Sequence, residues 1–169
     1  AINPYLAIVL SLACGVAFGF INGLIIVSMN LTPFIVTLAT SSIMTGMIYL
    51  FTRGFALTGI PEAVTVIGQK SLFGFVPYPF LIALILAFIL MFMLKYTSFG
   101  RHIYAVGGNR SAAEIVGIRV KRVELLCYTL SGSIAALAGI LMVCRMGSYQ
   151  ADVGSGWTMP SVTAAVLGG

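Results

Sequence analysis

Long apolar runs without a charged residue dominate this chain. The first extends over residues 4–27, and a helix of that length covers roughly 36 Å, enough to cross a bilayer with some tilt. Of the 169 residues, 60% are hydrophobic and 8% are charged. A soluble domain has about 25% charged residues, so the composition excludes a soluble enzyme and a disordered tail. The sequence therefore predicts a protein that lies in a membrane.

Four of these runs have the length that a membrane-spanning helix needs. We place the spans at about residues 4–27, 32–51, 79–94 and 123–146. The link at 28–31 is so short that the first two spans must form an antiparallel hairpin. Residues 52–78 are too polar and too rich in Gly and Pro to span, and we expect a short surface helix at Glu62–Gly68.

These runs predict an all-α polytopic membrane protein, with residues 1–169 forming part of one transmembrane domain. A further apolar segment starts within 158–169, and the chain opens with Ala1 rather than Met. We therefore expect a fragment of a larger helix bundle.

The basic residues indicate how the spans are oriented. Six of the nine Lys and Arg residues lie in the loop 95–122, against two in 52–78. By the positive-inside rule, loop 95–122 is expected in the cytoplasm and loop 52–78 outside. The formal net charge of +5 then reflects membrane topology rather than a nucleic-acid partner.

Small residues repeat at every fourth position on two of the spans. They are Gly15, Gly19 and Gly23 on the first span, and Ser131, Ala135 and Gly139 on the fourth. Such spacing lets helix backbones approach closely. We therefore expect both spans in the interior of the bundle.

Polar side chains within the spans suggest a second feature. Asn22 is the only strongly polar group inside the first span, and Thr37, Ser41 and Thr45 form one stripe on the second. This set either lines a path for a polar solute or, as is more usual, bonds its own or a neighbouring helix.

The basic loop carries the signals of a short helix. Gly107-Gly108-Asn109 indicates a turn, Ser111 to Glu114 fits a capping box, and Gly117 provides a stop. The expected helix has about one and a half turns and a small apolar surface, and it is marginal alone. It must therefore dock, either on a partner or on the membrane helices of its own chain.

Seven segments together match one known family of membrane proteins: Asn22-Gly23-Leu24, Pro33–Leu38, Thr97–Asn109, Ala112–Ile118, Ser131-Gly132, Ala135–Gly139 and Ala164–Gly169. In these segments the chain resembles the permease subunits of bacterial ATP-binding-cassette importers for ribose and other simple sugars. Residues 157–162 depart from it, since sugar permeases commonly carry an acidic pair there. Related permeases for branched-chain amino acids share a similar loop. The transported solute is therefore expected to be a simple sugar, a branched-chain amino acid or another small polar molecule.

This resemblance implies several partners and a location. ATPase subunits dock inside, a periplasmic or extracellular solute-binding protein docks outside, and a second permease copy or a paralogue completes the path in the lipid of a bacterial inner membrane. By the same resemblance, the ATPase-coupling residues are Ser111, Ala112, Ala113, Glu114, Gly117 and Ile118.

We expect no catalytic residue, metal or cofactor. The chain has one histidine, His102, and its cysteines at 14, 127 and 144 sit in separate apolar runs. Gly107-Gly108 lacks the G-K-[ST] of a phosphate-binding loop, so a partner must hydrolyse ATP. The first three spans contain no ionisable residue, which disfavours a secondary transporter or channel. A structural membrane subunit stays open.

The outer loops carry scattered charges. They are Arg53, Glu62, Lys70, Arg145 and Asp152. These residues either contact a solute-binding protein or, as surface charges usually do, solvate their loops. We expect the Arg145 side chain to extend toward the membrane interface.

Overall fold

Residues 4–72, 76–151 and 153–168 are described by the computed structural model, and most of them are helical. The elements are α1 (Pro4–Met29), α2 (Pro33–Thr52), α3 (Glu62–Gln69), β1 (Ser71–Leu72), β2 (Val76–Pro77), α4 (Tyr78–Tyr96), α5 (Ser98–Gly108), α6 (Arg110–Ile115), α7 (Val120–Met146) and α8 (Thr158–Gly168). Within the described residues, four helices are long and apolar enough to cross a membrane, namely α1, α2, α4 and α7. The expected all-α polytopic fold is confirmed, and these helices overlie the four predicted spans.

The α1–α2 hairpin follows from two local features. The turn between the helices is closed by Asn30, whose φ of 50° is left-handed. Helix α2 then starts with Pro33 at its first position, where the missing N–H would have had no partner in the helix and the fixed φ suits helical backbone. A link of only three residues, 30–32, forces the helices to run antiparallel.

The most extensive packing in the fold is between α1 and α7, which run antiparallel with their backbones in contact. A Cβ atom added to Gly132 would lie 2.5 Å from Gly15 O and 2.7 Å from Gly19 Cα. One added to Gly19 would lie 2.6 Å from Tyr128 O. Only hydrogen atoms fit at these two glycines, so the predicted packing face of α1 is confirmed.

On α7 the contacting residues differ from those expected. Tyr128, Gly132 and Ala136 meet α1, whereas the predicted stripe lies one position away. In that stripe Ser131, Ala135 and Gly139 are exposed, and a Cβ on Gly139 would meet nothing within 4 Å. The prediction of an α7 packing face was therefore wrong by one residue in register, because two four-residue repeats overlap on this helix.

Helices α2 and α4 lie at the periphery. Val36 is the buried residue of α2, and the described residues of α4 include none that is buried. At the end of the bundle opposite α6, the expected surface helix forms as α3 and packs against the end of α7. Two additions were not predicted there: the antiparallel β1–β2 pair, and a bridge between Leu57 and Tyr149 that joins the two connections on this side.

The loop 95–122 contains two helices rather than one. The unpredicted α5 begins after Thr97, whose hydroxyl accepts a hydrogen bond from Gly100 N at 3.2 Å. It continues through Gly107 and Gly108, which were expected to form a turn.

The start of α6 corrects the predicted capping box. The N-cap is Asn109, whose Oδ1 accepts from Ala112 N at 3.0 Å, so Ser111 lies inside the helix instead of at its cap. Asn109 prevails because it is extended, with φ −157° and ψ 105°, directly where α5 stops.

The end of α6 agrees with the prediction. Gly117 has φ 86°, and the N–H groups of Gly117 and Ile118 donate to Glu114 O and Ala113 O, each at 3.0 Å. This pair of hydrogen bonds is a Schellman motif, which requires a left-handed residue at the glycine. Gly117 therefore stops α6 as expected.

We expect Gly132→Ala to lower the unfolding free energy by about 1–3 kcal/mol, because its methyl group has no room against α1. The matched control is Gly139→Ala on the same helix, whose methyl group meets no atom within 4 Å. That control should be neutral or gain up to about 1 kcal/mol from helix propensity. Thermal unfolding midpoints in detergent micelles measure both, and equal midpoints would contradict the packing described here.

Candidate functional site

A cleft of about 320 Å³ lies beside the α1–α7 contact, in the half of the bundle nearer α6. We call it the α1/α2/α7 cleft. Its lining residues are Gly15, Phe18, Gly19, Asn22, Thr37, Tyr128, Ser131, Gly132, Ala135 and Ala136. The lining therefore combines hydroxyl and amide groups with apolar surface and carries no charge.

Asn22 is the most polar group of the cleft, and it is held in place by the neighbouring helix. Thr40 Oγ1 donates to Asn22 Oδ1 at 2.7 Å and also lies 2.9 Å from Val36 O. Among the described residues, the NH₂ group of this amide has no protein partner, so it keeps two donors for another molecule.

Ser131 is the second polar group that the protein leaves unpaired. Its side chain is exposed, and its hydroxyl makes no hydrogen bond to any residue that the structure describes. By contrast, Ser133, two positions along α7, donates to Thr129 O at 2.8 Å. Ser131 was expected to pack against another helix, and its place in the cleft was not predicted.

The predicted polar stripe of α2 divides into two parts. Thr37 lines the cleft together with Asn22, whereas Ser41 and Thr45 are not among its lining residues. All three hydroxyls bond carbonyl oxygens of their own helix, for example Thr45 Oγ1 to Ser41 O at 2.9 Å. A path-lining role for Ser41 and Thr45 stays a prediction.

Helix α6 presents two faces of different character. Ala113 is buried, with 4% of its surface exposed, while Ile115 and Val116 at the end of the helix are 87% and 79% exposed. Ala113 therefore attaches α6 to its own chain, and the two large aliphatic side chains point away from it. Neither is among the six predicted coupling residues, although both belong to the small apolar surface that the sequence predicts for this helix.

The other predicted coupling residues differ in accessibility. Ser111, Ala112, Glu114 and Gly117 are exposed, whereas Ile118 is half-buried. A partner that binds α6 would thus meet the first four directly and would not reach Ala113.

At the opposite end of the bundle, a cavity of about 400 Å³ lies between the end of α7 and the segment before α8. Trp157 and Tyr149 line it, and burial raises the pKa of the Tyr149 hydroxyl above its ordinary 10.0. That group therefore stays protonated at neutral pH. The basic residues Arg53 and Lys70, at the same end of the bundle, are exposed.

Asp152 and the side chain of Glu62 lie outside the described residues. The Arg145 carbonyl accepts from Gln69 Nε2 at 3.4 Å, and the Arg145 side chain is exposed. In the part of the chain that the structure describes, no three His, Cys, Asp or Glu residues form a group suited to a metal ion.

Comparison with known proteins places the chain among transport permeases. The family model described as "Branched-chain amino acid transport system / permease component" matches residues 1–169. The chain is 39% identical over 171 residues to the ribose import permease protein of Bacillus subtilis (strain 168), covering 99% of the chain and 52% of the relative. It is 32% identical over 177 residues to a fructose import permease protein of Bifidobacterium longum, covering 99% and 52%.

A third relative is the autoinducer 2 import system permease protein of Klebsiella pneumoniae, 37% identical over 158 residues, with 93% of the chain and 45% of the relative covered. The chain thus spans about half the length of the curated relatives it matches. No solved structure matches it. Since the family model extends over every residue, the chain is a multi-pass membrane protein that belongs to the branched-chain amino acid transport system permease family.

Proposed function

We propose that this chain is part of a permease subunit of an ATP-binding-cassette importer for a simple sugar. In this proposal, separate ATPase subunits dock on α6 in the cytoplasm, and a solute-binding protein delivers the sugar at the outer end, near loop 52–78. A second permease copy or a paralogue completes the path across the bacterial inner membrane. The observation that carries the docking role is the exposed Ile115–Val116 pair at the tip of α6.

The physical case for docking is the cost of that exposure. Two large aliphatic side chains at the end of a six-residue helix gain nothing from contact with water, and α6 is too short to be stable by itself. Its buried side, at Ala113, and its Schellman end at Gly117 hold it rigidly against its own chain. A rigid helix with a free apolar tip is suited to fill a pocket on a partner.

The choice of a sugar rests on the chemistry of the α1/α2/α7 cleft. A sugar is a neutral molecule with many hydroxyls, and the unpaired Asn22 amide and Ser131 hydroxyl are groups that such a solute can bond. An amino acid carries an ammonium and a carboxylate, and the lining residues provide no opposite charge for either. The names of the ribose and fructose permease relatives agree with this choice.

The mechanism needs no catalytic residue in this chain. Closure of an ATPase pair would move α6 as a rigid body, and packed helices would transmit the movement to the cleft. The α1–α7 contact suits this role, because at Gly19 and Gly132 the two backbones touch directly and must move together.

A second candidate solute is a branched-chain amino acid, which the description of the matching family favours. The third hypothesis is a structural membrane subunit that does not transport a solute. That hypothesis does not explain the exposed apolar tip of α6.

Uptake by membrane vesicles that contain the permease, its ATPase and its solute-binding protein separates these readings. With radiolabelled D-ribose, D-fructose and L-leucine as probes, we expect ATP-dependent uptake of a sugar and none of leucine, because the cleft lining is uncharged. Leucine uptake would favour the amino-acid reading, and uptake of neither class would exclude both as solutes.

The docking role predicts the effect of Ile115→Glu. A charge on this exposed tip would have to be buried in the partner, so the amount of ATPase that copurifies should fall roughly tenfold or more. Leu57→Glu is the matched control, since Leu57 is also an exposed aliphatic residue but lies at the opposite end of the bundle. Equal ATPase recovery with both variants would exclude α6 as the docking element.

The cleft predicts a difference between two serines of α7. Ser131→Ala removes a hydroxyl that has no partner in the described residues, so the fold should be unchanged, while the half-saturating sugar concentration rises roughly 3- to 10-fold. Ser133→Ala, which removes a hydroxyl bonded to Thr129 O, serves as the control outside the cleft. Uptake kinetics measure both variants, and an unchanged half-saturation in Ser131→Ala would remove Ser131 from the path.

A further inference from the structure

Arg110 joins α6 to α7 through an ion pair. Its Nη1 atom lies 3.3 Å from Glu124 Oε1, and its Nε atom lies 3.8 Å from Glu114 Oε1 on its own helix. These are the two ion pairs within the described residues, and Arg110 makes both. The first of them is the one that connects two different helices.

The position of Arg110 gives this pair mechanical importance. It is the first residue of α6, while the covalent connection to α7 leaves the other end of α6 through Gly117 and Ile118. Asn109 joins the start of α6 to α5, and the pair with Glu124 links the same end to α7, so that α6 is attached to α7 near both of its ends.

Glu124 lies on α7 just before the residues of that helix that line the α1/α2/α7 cleft. One helical turn further along α7 is Tyr128, which lines the cleft and whose carbonyl oxygen contacts the backbone at Gly19 of α1. The Glu124 side chain is more enclosed than that of Arg110, with 25% exposed against 49%. The acidic partner therefore lies on the α7 segment that borders the cleft, and the basic partner lies on the element proposed to meet the ATPase.

We propose that the Arg110–Glu124 pair transmits the movement of α6 to α7 and so to the cleft, which makes both of them positioning residues for transport. This inference rests on the proposed function, because it assumes that an ATPase moves α6. The pair is too exposed to contribute much to stability. Its role is geometric: without it, the start of α6 is held by α5 and not by an ion pair to α7, so an ATPase that docks normally moves α6 with less movement of α7.

Docking and cleft movement must be measured separately to test this. The permease is coexpressed with its ATPase, its native cysteines are replaced by alanine, and Thr37→Cys reports on the cleft through its labelling rate with a water-soluble maleimide. Labelling is compared without nucleotide and with ATP plus vanadate, which holds the ATPase pair closed. This readout does not depend on knowing the solute.

Without further substitution, we expect the labelling rate to change at least about fivefold between the two conditions. In Arg110→Gln and Glu124→Gln, the change should shrink to less than half of that, while the ATPase still copurifies. The charge-exchanged variant R110E/E124R should regain part of the response. Lys121→Gln, an exposed basic residue of α7 with no ion pair in the described residues, is the control and should respond normally.

A normal response in both glutamine variants would overturn the proposal. So would a loss of ATPase copurification in them, because the pair would then shape the docking surface instead of transmitting movement. Failure of the unsubstituted permease to copurify with the ATPase would be a different result, since it removes the proposed function itself and this inference with it.

Discussion

The direct backbone contact between α1 and α7 is the interaction on which the rest of the fold depends. Lipid tails are as apolar as leucine, so helices in a membrane gain little by burying apolar surface and associate through close packing and polar bonds instead. Here Gly19 and Gly132 remove the side chains that would keep the helices apart. Helix α1 then positions the hairpin with α2, and α7 positions α6, which places the cleft and the docking helix on one rigid pair.

Where the polar groups lie follows from this arrangement. The Asn22 amide is costly in an apolar setting unless it is bonded, and Thr40 of the adjacent helix satisfies its oxygen. The remaining donors face a cleft that exists because small residues leave space beside the α1–α7 contact. Close packing and a polar opening thus have a common origin in the same small residues.

Local signals in the sequence were sufficient for part of this fold and insufficient for the rest. Charge-free length located the long helices, and Gly117 ended α6 as expected, because both depend on properties of the segment alone. The start of α6 was predicted wrongly. Asn109 and Ser111 are both good N-caps, and the choice between them depends on where the unpredicted α5 ends.

The candidate site shows the same division. Asn22 and Thr37 were identified as polar groups inside apolar spans, and they do line one cleft. The place of Ser131 was missed because only the register against α1 decides whether a small residue packs or borders an opening. That register is set by a contact between segments far apart in the chain, in which Tyr128 places its carbonyl oxygen at Gly19 and its Cβ at Gly23.

The separation of those two segments also affects how the protein is made. Gly19 and Gly132 are 113 positions apart, so at about 5–20 residues per second the first helix waits roughly 6–23 s in the bilayer before its partner is synthesised. During that interval its glycine face cannot contact α7. The bond from Thr40 to Asn22 is available much earlier, as soon as the second helix has been inserted. An inserted α1–α2 hairpin can therefore satisfy the Asn22 amide oxygen before α7 is made.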